Sequence, residues 1–271
     1  MAKTLRSPVR YYGGKAGMIP ELLSLFPPED SYDTFIEGFG GGGSLTLAVP
    51  RTGKMEYYND LGENIHSLYK VIADKELFSQ LKDRLDLTLY SEQLHNEYKK
   101  KLKEKNLSIV DRAFYYFYVN RSSFNGTGAF TLKTAIRRKM GKNVSDYLST
   151  IDLLPEIHDR LSSVCICNKD IFEILEKFNT SNVFMYLDPP YVPTTRVALN
   201  SYEHEMSVEE HVKLANILAK TESKILLSGY DNEIYRKLLE PKFKRRETVS
   251  PLAKSGKVEV LWWNYEEKSE N

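Results

Sequence analysis

Val183-Phe184-Met185-Tyr186-Leu187-Asp188-Pro189-Pro190-Tyr191 is the stretch on which the fold turns. A β-prone apolar run reaches an acid, and two prolines then end the strand. Proline has no N–H to give a sheet ladder, and Pro190 restricts the residue before it. The pattern predicts a buried strand with Asp188 at its carboxyl end and Tyr191 just beyond, on a stiff loop. In open α/β sheets that end of the strands is where ligands bind. A carboxylate, backbone carbonyls with no N–H between them and an aromatic face suit a planar ring bearing an amino group. The face stacks, and the acid and a carbonyl accept from the amine. Read alone, the same residues also describe a strand-ending turn with a surface tyrosine, so the neighbouring motifs must decide.

Upstream, Asp33-Thr34-Phe35-Ile36-Glu37 reads as a strand running into Gly38-Phe39-Gly40-Gly41-Gly42-Gly43-Ser44, with Leu45, Leu47 and Ala48 opening a helix. Strand, glycine loop and helix make the turn that binds a phosphate or a nucleoside, and Gly38, Gly40 and Gly43 satisfy G-x-G-x-x-G. The next strand, Met55 to Tyr58, ends at Asn59-Asp60. Asp60 stands about 20 residues past the glycines, where an acid reaches a ribose hydroxyl. The loop and the acid predict an adenosine-containing cofactor and leave two readings open. A nicotinamide enzyme would set a pyrophosphate on the helix, whereas a methyltransferase would set an amino-acid tail and a nucleoside there. Glu37, directly before the glycines, is a poor neighbour for a pyrophosphate and a good one for an ammonium or sulfonium, which favours the methyl donor. Arg10-Tyr11-Tyr12-Gly13-Gly14-Lys15, near the start, allows close backbone approach and offers a cation.

Between residues 66 and 162 the chain changes character, with 17 Lys and Arg against 12 Asp and Glu, while the whole 271-residue chain carries a net charge of only +1. Leu77, Leu81 and Leu85 recur at helical spacing, and Ala113, Phe114, Phe117 and Tyr118 form a stripe expected to be helix core. Asn120-Arg121 then leads through Phe124-Asn125-Gly126 to the basic run Arg137-Arg138-Lys139-Met140-Gly141-Lys142. Arg and Asn read guanine and adenine edges, and Lys and Arg neutralise phosphates. The segment is therefore expected to be a helical insertion carrying a DNA-contacting loop or hairpin, against the plainer reading of a basic surface loop.

The remaining signals are strands at Val164 to Asn168, Lys224 to Ser228, and a closing pair at Phe243 to Val249 and Val258 to Trp263. The segment Val192 to Tyr202 is a candidate lid. Cys165 and Cys167, two apart on a strand, are expected to share one face as small core fillers. They form no disulfide framework, and five histidines show no metal-ligand spacing. With no apolar run near 18 residues and no signal-peptide pattern, the expectation is a cytoplasmic protein without membrane or metal. Helix and strand patterns alternate outside the insertion, predicting an α/β fold with a doubly wound, mostly parallel sheet.

In this order the pieces resemble the DNA adenine N6-methyltransferases, the group of the bacterial GATC-modifying methylase and its phage-borne relatives. Leu227-Ser228-Gly229-Tyr230 and Glu259-Val260-Leu261-Trp262 add to the likeness. The resemblance implies a Rossmann-like class I methyltransferase domain over residues 1–65 and 163–271, and a mainly helical target-recognition domain over 66–162. It implies S-adenosylmethionine bound by Tyr11, Tyr12, Lys15, Glu37, Phe39, Gly41, Gly43, Asp60, Asp170 and Asp188. Asp188, Pro189, Pro190 and Tyr191 would act on an adenine flipped out of double-stranded DNA. Asn120, Arg121, Asn125, Arg137, Arg138, Lys139 and Lys142 would contact the DNA. It further implies a bacterial or phage-infected cell, a monomer or weak dimer, and a cognate restriction nuclease among the partners. Where relatives carry proline after the loop glutamate this chain has Gly38. The alternatives are methylation of cytosine N4 or of an RNA base, a dinucleotide-dependent oxidoreductase, and a DNA-binding protein that has lost catalysis.

Overall fold

A computed structural model describes residues 5–11, 13–126, 128–132, 135–193, 204–248 and 258–267. Its strands are β1 (Thr34–Glu37), β2 (Met55–Asn59), β3 (Ile136–Arg137), β4 (Met140–Gly141), β5 (Val164–Cys167), β6 (Val183–Leu187), β7 (Lys224–Tyr230), β8 (Lys244–Thr248) and β9 (Glu259–Trp263). Its helices are α1 (Ile19–Ser24), α2 (Ser44–Ala48), α3 (Glu63–Ala73), α4 (Lys75–Asp86), α5 (Glu92–Lys101), α6 (Ile109–Ser122), α7 (Lys142–Ile151), α8 (Leu154–Leu161), α9 (Ile171–Lys177), α10 (Val208–Leu218) and α11 (Glu233–Leu239).

Seven strands form one sheet in the order β5-β2-β1-β6-β7-β9-β8. β1 runs parallel to both β2 and β6, β6 runs parallel to β7, and β9 lies antiparallel to β7 and β8. This is the mostly parallel α/β sheet expected of a class I methyltransferase. Strand order reverses between β1 and β6, and in register Glu37 pairs with Tyr186. Glu37 and the Asp188 that follows β6 therefore reach the same carboxyl edge, at the point where a doubly wound sheet opens its ligand crevice. β6 is buried along its whole length, which is why its sequence is continuously apolar rather than alternating.

The chain divides into two compact units. One comprises residues 15–40, 49–61 and 167–271 and holds most of the sheet; the other comprises residues 1–14, 41–48 and 62–166 and is mainly helical. In the sheet unit one core cluster joins Met185, Leu187, Ile225, Leu227, Val260 and Trp262 to Leu214, Leu218, Tyr235 and Leu239 of α10 and α11. Ser207 and Glu210 close the capping box that starts α10, as the Ser-x-x-Glu spacing requires. In the helical unit Phe117 and Tyr118 of α6 are fully buried, so the aromatic stripe is helix core. Asp74, Ser91 and Ser108 cap α4, α5 and α6 by accepting from backbone N–H groups, satisfying donors that a helix start leaves open.

Two expectations change. Cys165 is exposed and Cys167 half-buried. β5 is an outer strand of the sheet, so its alternate positions meet solvent rather than core. Residues 194–202 of the expected lid lie outside the described residues.

The glycine loop is shaped by what a side chain would strike. A Cβ on Gly40 would overlap the Tyr58 ring, and Tyr58 is itself fully buried. Gly40→Ala is expected to destabilise the protein by about 1–3 kcal/mol, the usual cost of overpacking a closed interior, as read by denaturant unfolding.

Candidate active site

The carboxyl edge of the sheet unit is held by Asn59, at the end of β2. Its amide donates to the carbonyls of Gly38 (3.1 Å) and Lys169 (3.0 Å), and accepts from the Lys169 N–H (2.9 Å). Its own carbonyl accepts from the Gly40 N–H at 2.8 Å. One buried side chain thus fixes the start of the glycine loop and the turn after β5. The sequence signal was available, since an Asn before the acid at a strand end is a residue whose amide both donates and accepts, but the spacing argument looked past it to Asp60.

Around this frame stand the expected acids. Glu37 is buried at 3% exposure. Asp60 follows β2, and its N–H donates to the Cys167 carbonyl at 3.3 Å. Asp170 is exposed, and its Oδ1 accepts from the Phe172 N–H at 2.8 Å as the cap of α9. Phe39 is half-buried and packs against the sheet core.

Asp188 is reached from two sides. Ser228 Oγ donates to its Oδ1 at 2.8 Å and also shares a hydrogen bond with the Tyr186 hydroxyl at 2.8 Å. Lys15 Nζ lies 2.9 Å from the same Oδ1, 3.0 Å from Glu259 Oε1 and 2.9 Å from the Tyr191 hydroxyl. An ammonium has three protons, and here each has an acceptor. Lys15 is only 8% exposed and Glu259 1%. Burial works to lower the Lys15 pKa, but Asp188, Glu259 and Tyr191 outweigh it, and the ammonium is held well above its ordinary value. Burial pushes the Glu259 carboxyl up, against the pull of Lys15. The Tyr191 hydroxyl is raised chiefly by burial and stays protonated, so it can donate onward to Glu259 Oε2 at 3.2 Å.

Tyr191 is less open than its sequence position suggested. It is 9% exposed, and its ring stacks on Tyr230 with centroids 3.9 Å apart and planes 13° from parallel. Pro189, Pro190, Tyr191, Tyr230, Asn232 and Tyr235 are among the residues lining a shallow open recess of about 10 Å³ beside this stack. Glu259 and Ser228 had no role in the sequence reading. Their motifs belonged to the resemblance, but nothing local distinguishes a buried strand carboxylate from a surface one until the sheet pairs Glu259 with Tyr230.

In the helical unit the expected DNA contacts separate into two groups. Asn120 is 6% exposed, accepts from the Arg10 N–H at 2.7 Å and donates to the Arg10 carbonyl at 2.9 Å. Its amide thus makes one hydrogen bond to each polar group of the Arg10 backbone. Arg121 donates to the Asp146 carbonyl at 3.2 Å, and burial brings its guanidinium down to about 10, still a cation at neutral pH. These two fall on the packed face of α6, which the turn-rich sequence after them concealed. The side chain of Asn125 lies outside the described residues, as does Tyr12.

The basic run is a two-residue hairpin between β3 and β4. Arg138 and Lys139 form its tip at φ 53° and 60°, the left-handed pair of a type I′ turn, where Asn-Gly is the usual choice. Two long cations there cost roughly 1–2 kcal/mol each in backbone strain. Arg137 and Lys142 both pair with Asp146, at 2.7 and 2.6 Å, and despite its partial burial they hold that carboxyl below the usual carboxylate range. Tyr11 rings the glycine loop in this unit, since a Cβ on Gly41 (φ 48°) would stand 2.7 Å from its ring. Gly43 (φ 59°) faces the Tyr69 hydroxyl, which donates to the Gly42 carbonyl at 2.6 Å.

A doubly wound, mostly parallel sheet with an acid-Pro-Pro-Tyr edge, the acid held by a serine and an ammonium, has the architecture of a class I methyltransferase. The match is specific: residues 11–250 fit the model of the D12 class N6 adenine-specific DNA methyltransferases, and the chain belongs to that family. The type II methyltransferase M1.LlaDCHI of Lactococcus lactis subsp. cremoris is 27% identical over 282 positions, covering 96% of each chain. The type II methyltransferase M.CviBI of Paramecium bursaria Chlorella virus NC1A is 23% identical, over 88% of this chain and 89% of its own. A DNA adenine methylase of Serratia marcescens is 24% identical, over 86% and 87%. The protein is thus an adenine-specific DNA methyltransferase, and the oxidoreductase and cytosine readings fall away. Among the described residues no helix is long and apolar enough to cross a membrane, and no group of three His, Cys, Asp or Glu could hold a metal.

Asn120→Ala leaves the Arg10 N–H and carbonyl without their partner in a buried site. It is expected to destabilise the protein by about 1–3 kcal/mol per unsatisfied group, measured by thermal or denaturant unfolding.

Proposed function

We propose that the methyl donor is S-adenosylmethionine and that the acceptor is the N6 amino group of an adenine flipped out of double-stranded DNA in the cytoplasm of a bacterial or phage-infected cell. What carries the reading is the Asp188 carboxylate, fixed at the end of β6 beside Glu37 at the strand-order reversal. The donor set suits the cofactor. Glu37, Asp60 and Asp170 are carboxylates, which only accept; an ammonium tail, ribose hydroxyls and an adenine amino group are all donors. Phe39, between them on the loop, offers an apolar face. Bound there, the cofactor would supply an electrophilic methyl carbon.

The chain's own residues do the rest. A stacked adenine cannot present its amino group, so the base must leave the helix. The Asp188 carboxylate and the Pro189 carbonyl accept the two amino protons, drawing the nitrogen toward a geometry with a directed lone pair. Asp188 takes the proton as the new bond forms, so it need not be a strong base beforehand. Much of the rate comes from placing the nitrogen against the methyl carbon. Tyr191 stacks on the base; Tyr230 already lies 3.9 Å from its ring, so the base takes the opposite face or displaces Tyr230. Target choice falls to residues 66–162. At the hairpin tip Arg138 and Lys139 reach the phosphates or base edges, and Arg137 and Lys142 could exchange Asp146 for a phosphate.

Three measurements test this. Asp188→Ala should lower methyl transfer by about 10²–10⁴-fold, the range of a lost acid–base group, while calorimetry still detects S-adenosylmethionine binding; full transfer by the variant would refute the assignment. Tyr191→Ala should lose about 10- to 100-fold in turnover, the kinetic equivalent of one base–aromatic stack, with DNA binding kept. Arg138→Ala/Lys139→Ala should weaken DNA binding evenly across sequences and cut the salt slope by about 2, one per phosphate contact. A slope unchanged by that double variant would move the DNA contact elsewhere.

A further inference from the structure

The Lys15 ammonium poses a problem for the reaction. It touches the very carboxylate oxygen that Ser228 orients, Asp188 Oδ1. An ammonium and a carboxylate in a buried site cancel each other's field. An Asp188 so neutralised would do little for an amino nitrogen that gains positive charge as it is methylated.

Glu259 answers this. Its carboxylate is 1% exposed on β9, in register with Tyr230, and lies 3.0 Å from the Lys15 nitrogen. Its second oxygen accepts from the Tyr191 hydroxyl at 3.2 Å. It therefore contacts Lys15, the cation that also holds Asp188, and the Tyr191 hydroxyl. We propose that Glu259 is a positioning residue of the methyl transfer: it takes up the charge of Lys15, so that the cluster remains net anionic and Asp188 remains an effective acceptor. The proposal rests on the role of Asp188 argued under Proposed function.

The charge balance is simple. Lys15, Asp188 and Glu259 sum to one negative charge. In the reaction the N6 lone pair forms the bond to the methyl carbon, and the electron pair of the broken S–C bond stays on sulfur. Positive charge thus moves to N6 until one of its protons passes to the Asp188 carboxylate. A preorganised anionic cluster in a dry site stabilises that charge without reorganising. Glu259→Gln leaves the lysine and Asp188 to cancel. Lys15→Met alone leaves two buried carboxylates facing each other, which the site will not hold ionised together. Lys15→Met/Glu259→Gln restores the single negative charge with neutral groups of similar size.

The order of activities follows from the charge count and not from the number of contacts removed. Glu259→Gln should lower kcat at least about tenfold, with the KM for DNA and the Kd for S-adenosylmethionine within about twofold of the parent, as expected of a residue that acts on the charge developed in the transition state rather than on binding. Adding Lys15→Met to that variant should raise kcat again, by about threefold or more, against the multiplied losses expected of independent sites. The assay follows methyl transfer to unmethylated genomic DNA, with circular dichroism melts on every variant. Losses that multiply, or a Glu259→Gln effect confined to KM, would overturn the proposal. If Glu259→Gln alone fails to fold, the double variant decides: kcat within about tenfold of the parent supports the proposal, and a larger loss overturns it. Asp188→Asn serves as the control. Turnover retained there would remove the reading of Asp188 itself, whereas an inactive Asp188→Asn with multiplying losses would remove only the role of Glu259.

Discussion

A buried ammonium with three acceptors is the constraint around which the site is arranged. Lys15 comes before the first helix, Asp188 after the sixth strand and Glu259 on the ninth, and they meet within 3.0 Å. Burying any one of these charges alone would be prohibitive, and the arrangement is tolerated because every proton of the lysine is used. Such a cluster ties the segment before α1, the β6 edge and the antiparallel end of the sheet to one another. Ser228 and Lys15 both fix Oδ1 of Asp188, so this partly exposed carboxylate is held in place from two sides.

The sheet supplies the second ingredient, which is convergence. β1 and β6 are neighbours although almost 150 residues separate them in the chain. Their parallel pairing brings an anionic strand end, a glycine bend and a proline-stopped loop to one edge. Asn59 then locks that edge with four hydrogen bonds through its side chain and carbonyl.

Much of this was legible in the sequence, for physical reasons that can be named. Proline's missing donor and a run of apolar residues fixed the end of β6; glycines before a helix marked the ligand turn; aromatic spacing marked α6 as core. What escaped was decided by tertiary partners. Asn120 looked like a base reader because its residue type can be one, and only the fold reveals that its amide bonds to the backbone of Arg10, 110 residues earlier. Cys165 looked like core because alternation cannot tell an inner strand from an outer one. Glu259 was invisible for the complementary reason: a strand carboxylate announces nothing until a lysine from the other end of the chain arrives beside it. The helical unit likewise takes in residues 1–14 and 41–48, segments whose composition does not differ from that of their neighbours.

β8 has a consequence for how these molecules behave in a crowd. It is the terminal strand on its side of the sheet, and it reads Lys244-Arg245-Arg246-Glu247. A free strand edge is a template for another strand, whether from a second copy or from a partly unfolded chain. Here a docking strand would meet three successive cations. Arg245 reaches toward Asp231, Glu240 and Glu247, and Lys244 and Arg246 toward Glu266 and Glu267, so each cation is tied to a carboxylate of its own chain. A docking strand would have to desolvate or displace these charge pairs, so among the described residues this edge is a poor template for a second sheet.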